Sequence, residues 1–370
     1  MENTQHVSGE VWNNHTTLFD SHCHLQLPPL YENARKAIAL ALQLGVKHMA
    51  VCGTEPGSDW QKVLALAEAY PDIVIPSFGL HPWWIKQYYP PSQDNSALKD
   101  LEQKHRDHGE WLPELEALLQ QHPEAGVGET GLDRGITKEV PYALQEEVLL
   151  EHMHLAGRYQ RTLTLHCVGC WDRLLGLLNQ QRKMYCQYQK KLNSVFTKAL
   201  VEESIGFKAK EPPVHDEAHT SNSELFPASI ILHSCGNMPI HLVQSFASLP
   251  NTYFSFSMGG RGHSGELSEK TKSFVRAIPI DRLLLETDSP DQLPSPFKIP
   301  RATAKPSDKV TTDTREPIQS GDNDLCSQFL QYNEPAMLRY HCVQLAQVLN
   351  ISSERLAQLT TANSRKAFHL

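Results

Sequence analysis

The chain has 370 residues, enough for two average domains or for one (β/α)8 barrel with insertions. Lys and Arg number 34 against 42 Asp and Glu, a net charge of −8, so bulk positive charge cannot grip a polyanion. A hydrophobic content of 40% and a charged content of 21% suit a packed core and exclude a disordered chain. No apolar run reaches the ~18 residues of a membrane span. The opening Met1-Glu2-Asn3-Thr4-Gln5-His6 lacks both an apolar targeting core and an Arg-rich amphipathic pattern. Eight Cys are too sparse for a disulfide scaffold, and several lie inside apolar runs. A reducing compartment, cytoplasmic or nuclear, is therefore expected.

Taken in chain order, short apolar runs alternate with helix-like stretches. Strands are expected at 18–20, 48–52, 73–78, 125–128, 163–166, 229–233, 252–256 and 283–286. Helices are expected at 31–44, 58–70, 112–121, 141–159, 171–180, 237–247, 268–277 and 335–349. Strands apolar on both faces read as a parallel sheet buried on both sides, and eight of them favour a closed TIM barrel. Residues 1–16 form an N-terminal extension, and 17–370 form one α/β domain. Three stretches exceed ordinary connections: 84–111 after strand three, 181–228 before strand six and 289–333 after strand eight. The first and third follow strands, so they border the catalytic face. Residues 182–206 extend the fifth helix or add another on the opposite face.

The strand ends carry the chemistry. Strand one finishes Asp20-Ser21-His22-Cys23-His24, and its period of two places Asp20, His22 and His24 on one face. Strand four ends at Glu129 and Asp133, strand five at His166, strand six at His233, and strand eight at Glu286 and Asp288. In a barrel these ends converge on one mouth. Four imidazoles and two carboxylates there would make two adjacent divalent sites, one carboxylate bridging. With 19 His, about one His-x-His pair is expected by chance, so the convergence carries the reading. His152-Met153-His154 lies in a helical pattern and is expected on the helix surface.

Asp20-Ser21-His22-Cys23-His24, Gly79-Leu80-His81-Pro82 and Gly128-Glu129-Thr130-Gly131-Leu132-Asp133 resemble motifs of the TatD family of metal-dependent deoxyribonucleases. Leu165-His166, Leu232-His233-Ser234, Glu286-Thr287-Asp288-Ser289-Pro290 and Asn333-Glu334-Pro335 continue the likeness in order. The resemblance implies a TIM-barrel hydrolase of the metal-dependent type, with DNA as substrate and divalent cations as cofactors. It implies one metal on His22, His24 and Asp288, a second on His166 and His233, and Glu129 between them. Two cations relieve charge on both oxygens of an in-line displacement and lower the pKa of water to give hydroxide near neutral pH. Asp288 is the expected general base. Mg2+, Mn2+ and Zn2+ all fit, with imidazole leaning to Zn2+ or Mn2+.

Around this set, Asp20, Asp133 and Glu286 share faces with the ligands and are expected to orient imidazoles. His81 overlooks the site as a substrate contact or as the cap of the turn before Pro82. Asn333-Glu334-Pro335 starts the last barrel helix. The family often carries an Arg two residues after the strand-five His, where this chain has Val168. Arg134, Arg261, or Lys298, Arg301, Lys305 and Lys309 are candidate replacements for that phosphate contact. Trp83, Trp84, Tyr88 and Tyr89 offer a stacking platform for unpaired bases, with Trp84 singled out, or loop packing. Cys167-Val168-Gly169-Cys170 is a lone CxxC and a weak redox signal. Cys23 and Cys167 should turn outward, whereas Cys235 could face the site as a soft ligand. The main expectation is a monomeric DNA phosphodiesterase. Two alternatives stand beside it: hydrolysis of an amide, lactone or ester on the same scaffold, and an inactive barrel that binds partners through its insertions.

Overall fold

Eight parallel strands form in the expected places: β1 (Leu18–Cys23), β2 (Val46–Cys52), β3 (Val74–Phe78), β4 (Gly126–Asp133), β5 (Thr162–Val168), β6 (Ser229–Leu232), β7 (Thr252–Phe256) and β8 (Leu283–Leu285). The structure is a computed structural model that describes residues 16–89, 111–204, 226–259, 267–294 and 332–370. Each strand pairs in parallel with the next in sequence, in the order β1 to β8. The extension of β8 then meets β1. Asp288 N–H donates to the His22 carbonyl at 3.0 Å, and His24 N–H to the Ser289 carbonyl at 2.7 Å. Those two bonds bring the last strand's end onto the first and complete a TIM barrel.

Helices α1 (Ala34–Gln43), α2 (Trp60–Ala69), α3 (Ile85–Tyr88), α4 (Trp111–Gln121), α5 (Tyr142–Arg158) and α6 (Trp171–Ser204) alternate with the first strands. Helices α7 (Val243–Ala247), α8 (Glu269–Ala277), α9 (Leu338–Leu349) and α10 (Ser353–Ala367) complete the set among the described residues. The stretch 182–204 simply prolongs α6 into one helix of 34 residues. The expected helix over 237–247 is broken: 3-10 turns at 235–237 and 240–242 precede α-geometry confined to its last five residues. The rest of the three insertions lies largely outside the described residues. No helix among those described is long and apolar enough to cross a membrane.

Two apolar layers follow from strand alternation. The outer layer packs Leu18, Val51, Leu132, Leu165 and Leu232 against the helices. The inner layer is a small plug of Phe19, Ala50, Ile75, Ile231, Tyr253 and Leu284, finished by Ala367 and Phe368 from the C-terminal segment. Phe368 stacks on Phe19 with ring centroids 5.1 Å apart. Thr162 Oγ1 donates to the Ala367 carbonyl at 2.6 Å, and Thr361 Oγ1 to the Thr17 carbonyl at 2.8 Å. Helix α10, absent from the sequence expectations, thus seals the end where the strands begin. The opposite mouth, where the strands finish, is left for polar groups.

Two buried histidines brace that mouth from outside. His152, expected on a helix surface, is instead fully buried and stacks on Trp111 with centroids 4.8 Å apart. Its Nδ1–H donates to the Val148 carbonyl at 2.7 Å, and its Nε2 accepts from Leu80 N–H at 3.0 Å. The expectation failed because β3 ends in a loop whose Leu80 amide needs a partner, and α5 supplies it. His341 on α9 likewise donates to the Glu286 carbonyl at 2.8 Å. His152→Ala should cost about 3 kcal/mol in urea unfolding, through a buried amide left unpaired and a cavity against Trp111. Burial lowers the pKa of His152 from 6.5 to about 4. The unfolded chain therefore takes up that proton first, so its stabilisation is complete above pH 6.5 and is lost as pH falls toward 4. Over that interval the stability of His152→Ala should fall less steeply than that of the parent chain.

Candidate metal centre

Glycines make the centre possible. Gly128 and Gly131 flank Glu129 at φ +123° and +151°, conformations L side chains rarely adopt. A Cβ on Gly131 would stand 2.0 Å from the His166 carbonyl, and one on Gly128 2.4 Å from the Thr164 carbonyl. Strand β4 therefore presses directly on β5. That contact brings Glu129 beside His166 in the middle of the mouth.

Glu129 is buried and divides its two oxygens. Its Oε2 lies 3.4 Å from His22 Nε2 and 3.4 Å from His24 Nε2. Asp288 Oδ1 stands 3.6 and 3.5 Å from the same two nitrogens, which are themselves 3.1 Å apart. A cation about 2.1 Å from four tetrahedral donors spaces them by about 3.4 Å, the spacing seen here. Oε1 of Glu129 meets His166 Nδ1 at 2.8 Å, His233 Nε2 at 3.0 Å and His81 Nε2 at 3.4 Å. The expected ligands thus converge on one carboxylate, although His233 groups with His22 and Asp288 and not with His166 as expected. Three sets among the described residues place donor atoms within 4.8 Å of one another: His22, His24 and Glu129; His22, His233 and Asp288; and His81, Glu129 and His166.

The donor set fits divalent cations. His22 Nε2 and His24 Nε2 face each other and two carboxylates, a geometry a shared cation satisfies better than opposed N–H groups. The ring nitrogens on the far side from Glu129, His22 Nδ1, His166 Nε2 and His233 Nδ1, are buried without a hydrogen-bond partner. The Nδ1–H of His24 donates to the Cys52 carbonyl at 2.7 Å, which leaves its Nε2 lone pair for a ligand.

Electrostatics point the same way. Burial disfavours charge throughout, yet partners win at several positions. Hydrogen bonds donated to Asp288 and Glu129 hold His24 up at about 10, and the charges of Glu129 and Asp288 likewise raise His233. Asp133 and Glu129 raise His166. Glu129 is held well below its ordinary value against burial by His233, His81 and His166, and Asp288 is lowered by His233 and His24. Burial dominates at His22 and His81, and pushes His81 down to about 4. Two ionised carboxylates thus favour positive charge at His24, His166 and His233, a place that cations would take over from protons.

The surrounding residues fall partly as expected. Asp133 Oδ2 lies 3.6 Å from His166 Nε2, and Glu286 Oε1 3.7 Å from His233 Nδ1. Asp20 differs. The pairing of β1 with β2 slips between Asp20 and Cys23, so simple alternation fails there. Its carboxylate accepts from Thr287 N–H at 2.9 Å and Thr287 Oγ1 at 2.6 Å, anchoring β8 instead of an imidazole. Burial pushes its pKa up to about 8 despite these bonds. His81 both caps the turn, accepting from Trp83 N–H at 3.2 Å, and reaches Glu129. Asn333 does not cap the helix. It donates to the Thr287 and Asp291 carbonyls at 2.7 and 2.6 Å, a pinning role that the sequence reading missed.

On the rim, Trp84 packs on the core, so the exposed indole is Trp83, at 52% relative exposure. Trp83 Nε1 donates to Asp133 Oδ2 at 2.8 Å, and its ring stands 5.0 Å from His81 and 6.4 Å from His166. Tyr88 and Tyr89 also pack on the core. Arg134 is exposed, and its guanidinium lies over Gly169, just beyond Val168, close enough that a Cβ there would meet Nε at 2.9 Å. Arg261, Lys298, Arg301, Lys305 and Lys309 lie outside the described residues. Cys23, Cys167 and Cys235 all turn into the outer core, which removes Cys235 as a soft ligand. Cys167 and Cys170 are free thiols with sulfurs 3.8 Å apart.

The chain is 25% identical over 319 residues to the Cut9-interacting protein scn1 of Schizosaccharomyces pombe, covering 74% of this chain and 86% of scn1. It is 31% identical over 274 residues to the uncharacterized metal-dependent hydrolase YjjV of Escherichia coli, 74% of this chain and 79% of YjjV. The YjjV crystal structure superposes with a TM-score of 0.63 over 96% of this chain and 99% of that one, at 21% identity. The human deoxyribonuclease TATDN3 is 29% identical over 178 residues, 44% of this chain and 57% of TATDN3. The family profile described as TatD related DNase matches residues 19–369, and the chain belongs to that family of metal-dependent hydrolases.

Proposed function

We propose that this chain hydrolyses phosphodiester bonds of DNA with two divalent cations held in the barrel mouth. The observation that carries the reading is Glu129, whose two oxygens face separate imidazole groups and so suit a bridge between two cations. His22, His24 and Asp288 would complete one site, and His166 and His233 the other, with His81 beside the second. Bound there, the cations would relieve charge on the phosphate oxygens and activate water. The remaining chemistry belongs to the chain. Asp288, kept ionised by His233 and His24, takes the proton of the attacking water. Trp83 offers an exposed π-face to an unpaired base, and Arg134 a guanidinium to a neighbouring phosphate. The net charge of −8 leaves DNA binding to these local groups and the cations. The deoxyribonuclease names within the family support the choice of DNA over an amide, lactone or ester.

The test is release of nucleotides from labelled single- and double-stranded DNA with Mg2+, Mn2+ or Zn2+. Activity should vanish with EDTA and fall ~10²-fold or more in Glu129→Gln. Turnover of a simple ester or lactone with DNA untouched would overturn the DNA assignment. Trp83→Ala should raise KM for single-stranded DNA by roughly tenfold with kcat largely retained, the stacking of about one base. Trp84→Ala should lower the urea midpoint instead, because that ring packs on the core.

A further inference from the structure

The turn after β8 is pinned at its backbone by Asp20 and Asn333, but neither bond sets how the Asp288 carboxylate is rotated. A carboxylate turns freely about its last bond and can offer either oxygen. Here Oδ1 faces His22 and His24. Oδ2 accepts a hydrogen bond from the side-chain amide of Gln292, four residues on. The same Gln292 Nε2 donates to Ser234 Oγ at 2.6 Å. A carboxylate only accepts, so the amide must present its NH2 end to Asp288, and both of its protons are used.

Gln292 is itself held in place. Its backbone sits at φ +54°, and its carbonyl lies so near Gly259 that a Cβ there would come within 1.7 Å of it. Ser234 follows His233, adopts φ +48°, and donates its N–H to Glu286 Oε1 at 2.6 Å. A chain of bonds thus runs from Glu286 through Ser234 and Gln292 to Asp288. It links the strand end bearing His233 to the one bearing Asp288.

We propose that Gln292 is a positioning residue that locks the Asp288 carboxylate with Oδ1 toward the cation and ties the two halves of the centre together through Ser234. The proposal rests on the reading of Asp288 as a metal ligand. Loss of such an outer partner typically weakens metal binding by ~10–100-fold.

Mn2+ binding to the full chain, followed by the paramagnetic resonance signal of the free ion, provides the test. Gln292→Met keeps the volume and removes both donors, so its Mn2+ affinity should fall ~10–100-fold. Gln292→Asn keeps the donor on a shorter stem and should fall between the two. Urea unfolding of the metal-free proteins supplies the control, with midpoints expected to stay close to that of the parent chain. Parental affinity in Gln292→Met, with Glu129→Gln impaired, overturns the proposal and leaves the metal centre standing. Equal losses in Gln292→Met and Gln292→Asn that track lowered urea midpoints overturn it as a structural effect. No Mn2+ binding by the parent chain overturns the centre and the proposal together.

Discussion

One carboxylate organises this molecule. Glu129 turns one oxygen to His22 and His24 and the other to His166, His233 and His81, all at 2.8 to 3.4 Å. A side chain this short can do that only if strands from distant parts of the chain finish at one rim. The closed barrel provides the rim. The close approach of β4 to β5, open only to glycine at 128 and 131, sets the carboxylate at its centre. The C-terminal plug around Phe19 and Phe368 fills the opposite end, so the polar cluster and the apolar core do not compete for the same space.

Such a cluster is costly without cations. Buried carboxylates and imidazoles lose hydration, and each unpaired polar atom carries a penalty of a few kcal/mol. The protein offsets part of this by fixed bonds outside the cluster: His24 to Cys52, His81 to the Trp83 amide, and the Asp20 and Asn333 bonds behind β8. These bonds hold the donors in place before any ion arrives. Preorganisation of this kind is what lets a barrel mouth bind cations tightly and still leave them open to substrate.

Much of this architecture is legible in the amino-acid sequence. Short apolar runs between turns located all eight strands, because strands buried on both faces leave a strong apolar signal. The candidate ligands were legible because most stand at or just beyond a strand end, where only a converging fold explains them. The failures have equally physical causes. Asp20 was assigned by alternation, and the slip in β1 breaks alternation at that point. His152 was read from helix spacing alone, and spacing does not reveal that a loop amide 72 residues away needs an acceptor. Trp84 was preferred to Trp83 because the turn that swings one ring onto the core and the other onto the rim is a tertiary feature. Gln292 gave no signal and Asn333 was read only as a helix start, since amide side chains are common in loops and their roles exist only through contacts made in the folded chain.

The claim on which the rest depends is that a shared carboxylate holds two cations. Elemental analysis of the protein, purified and then equilibrated with Mn2+ or Zn2+, addresses it most directly. Two metal equivalents per chain are predicted, with one retained in Asp288→Asn and both diminished in Glu129→Gln. A full complement in Glu129→Gln, or a parent chain that takes up no more than one equivalent, would contradict it.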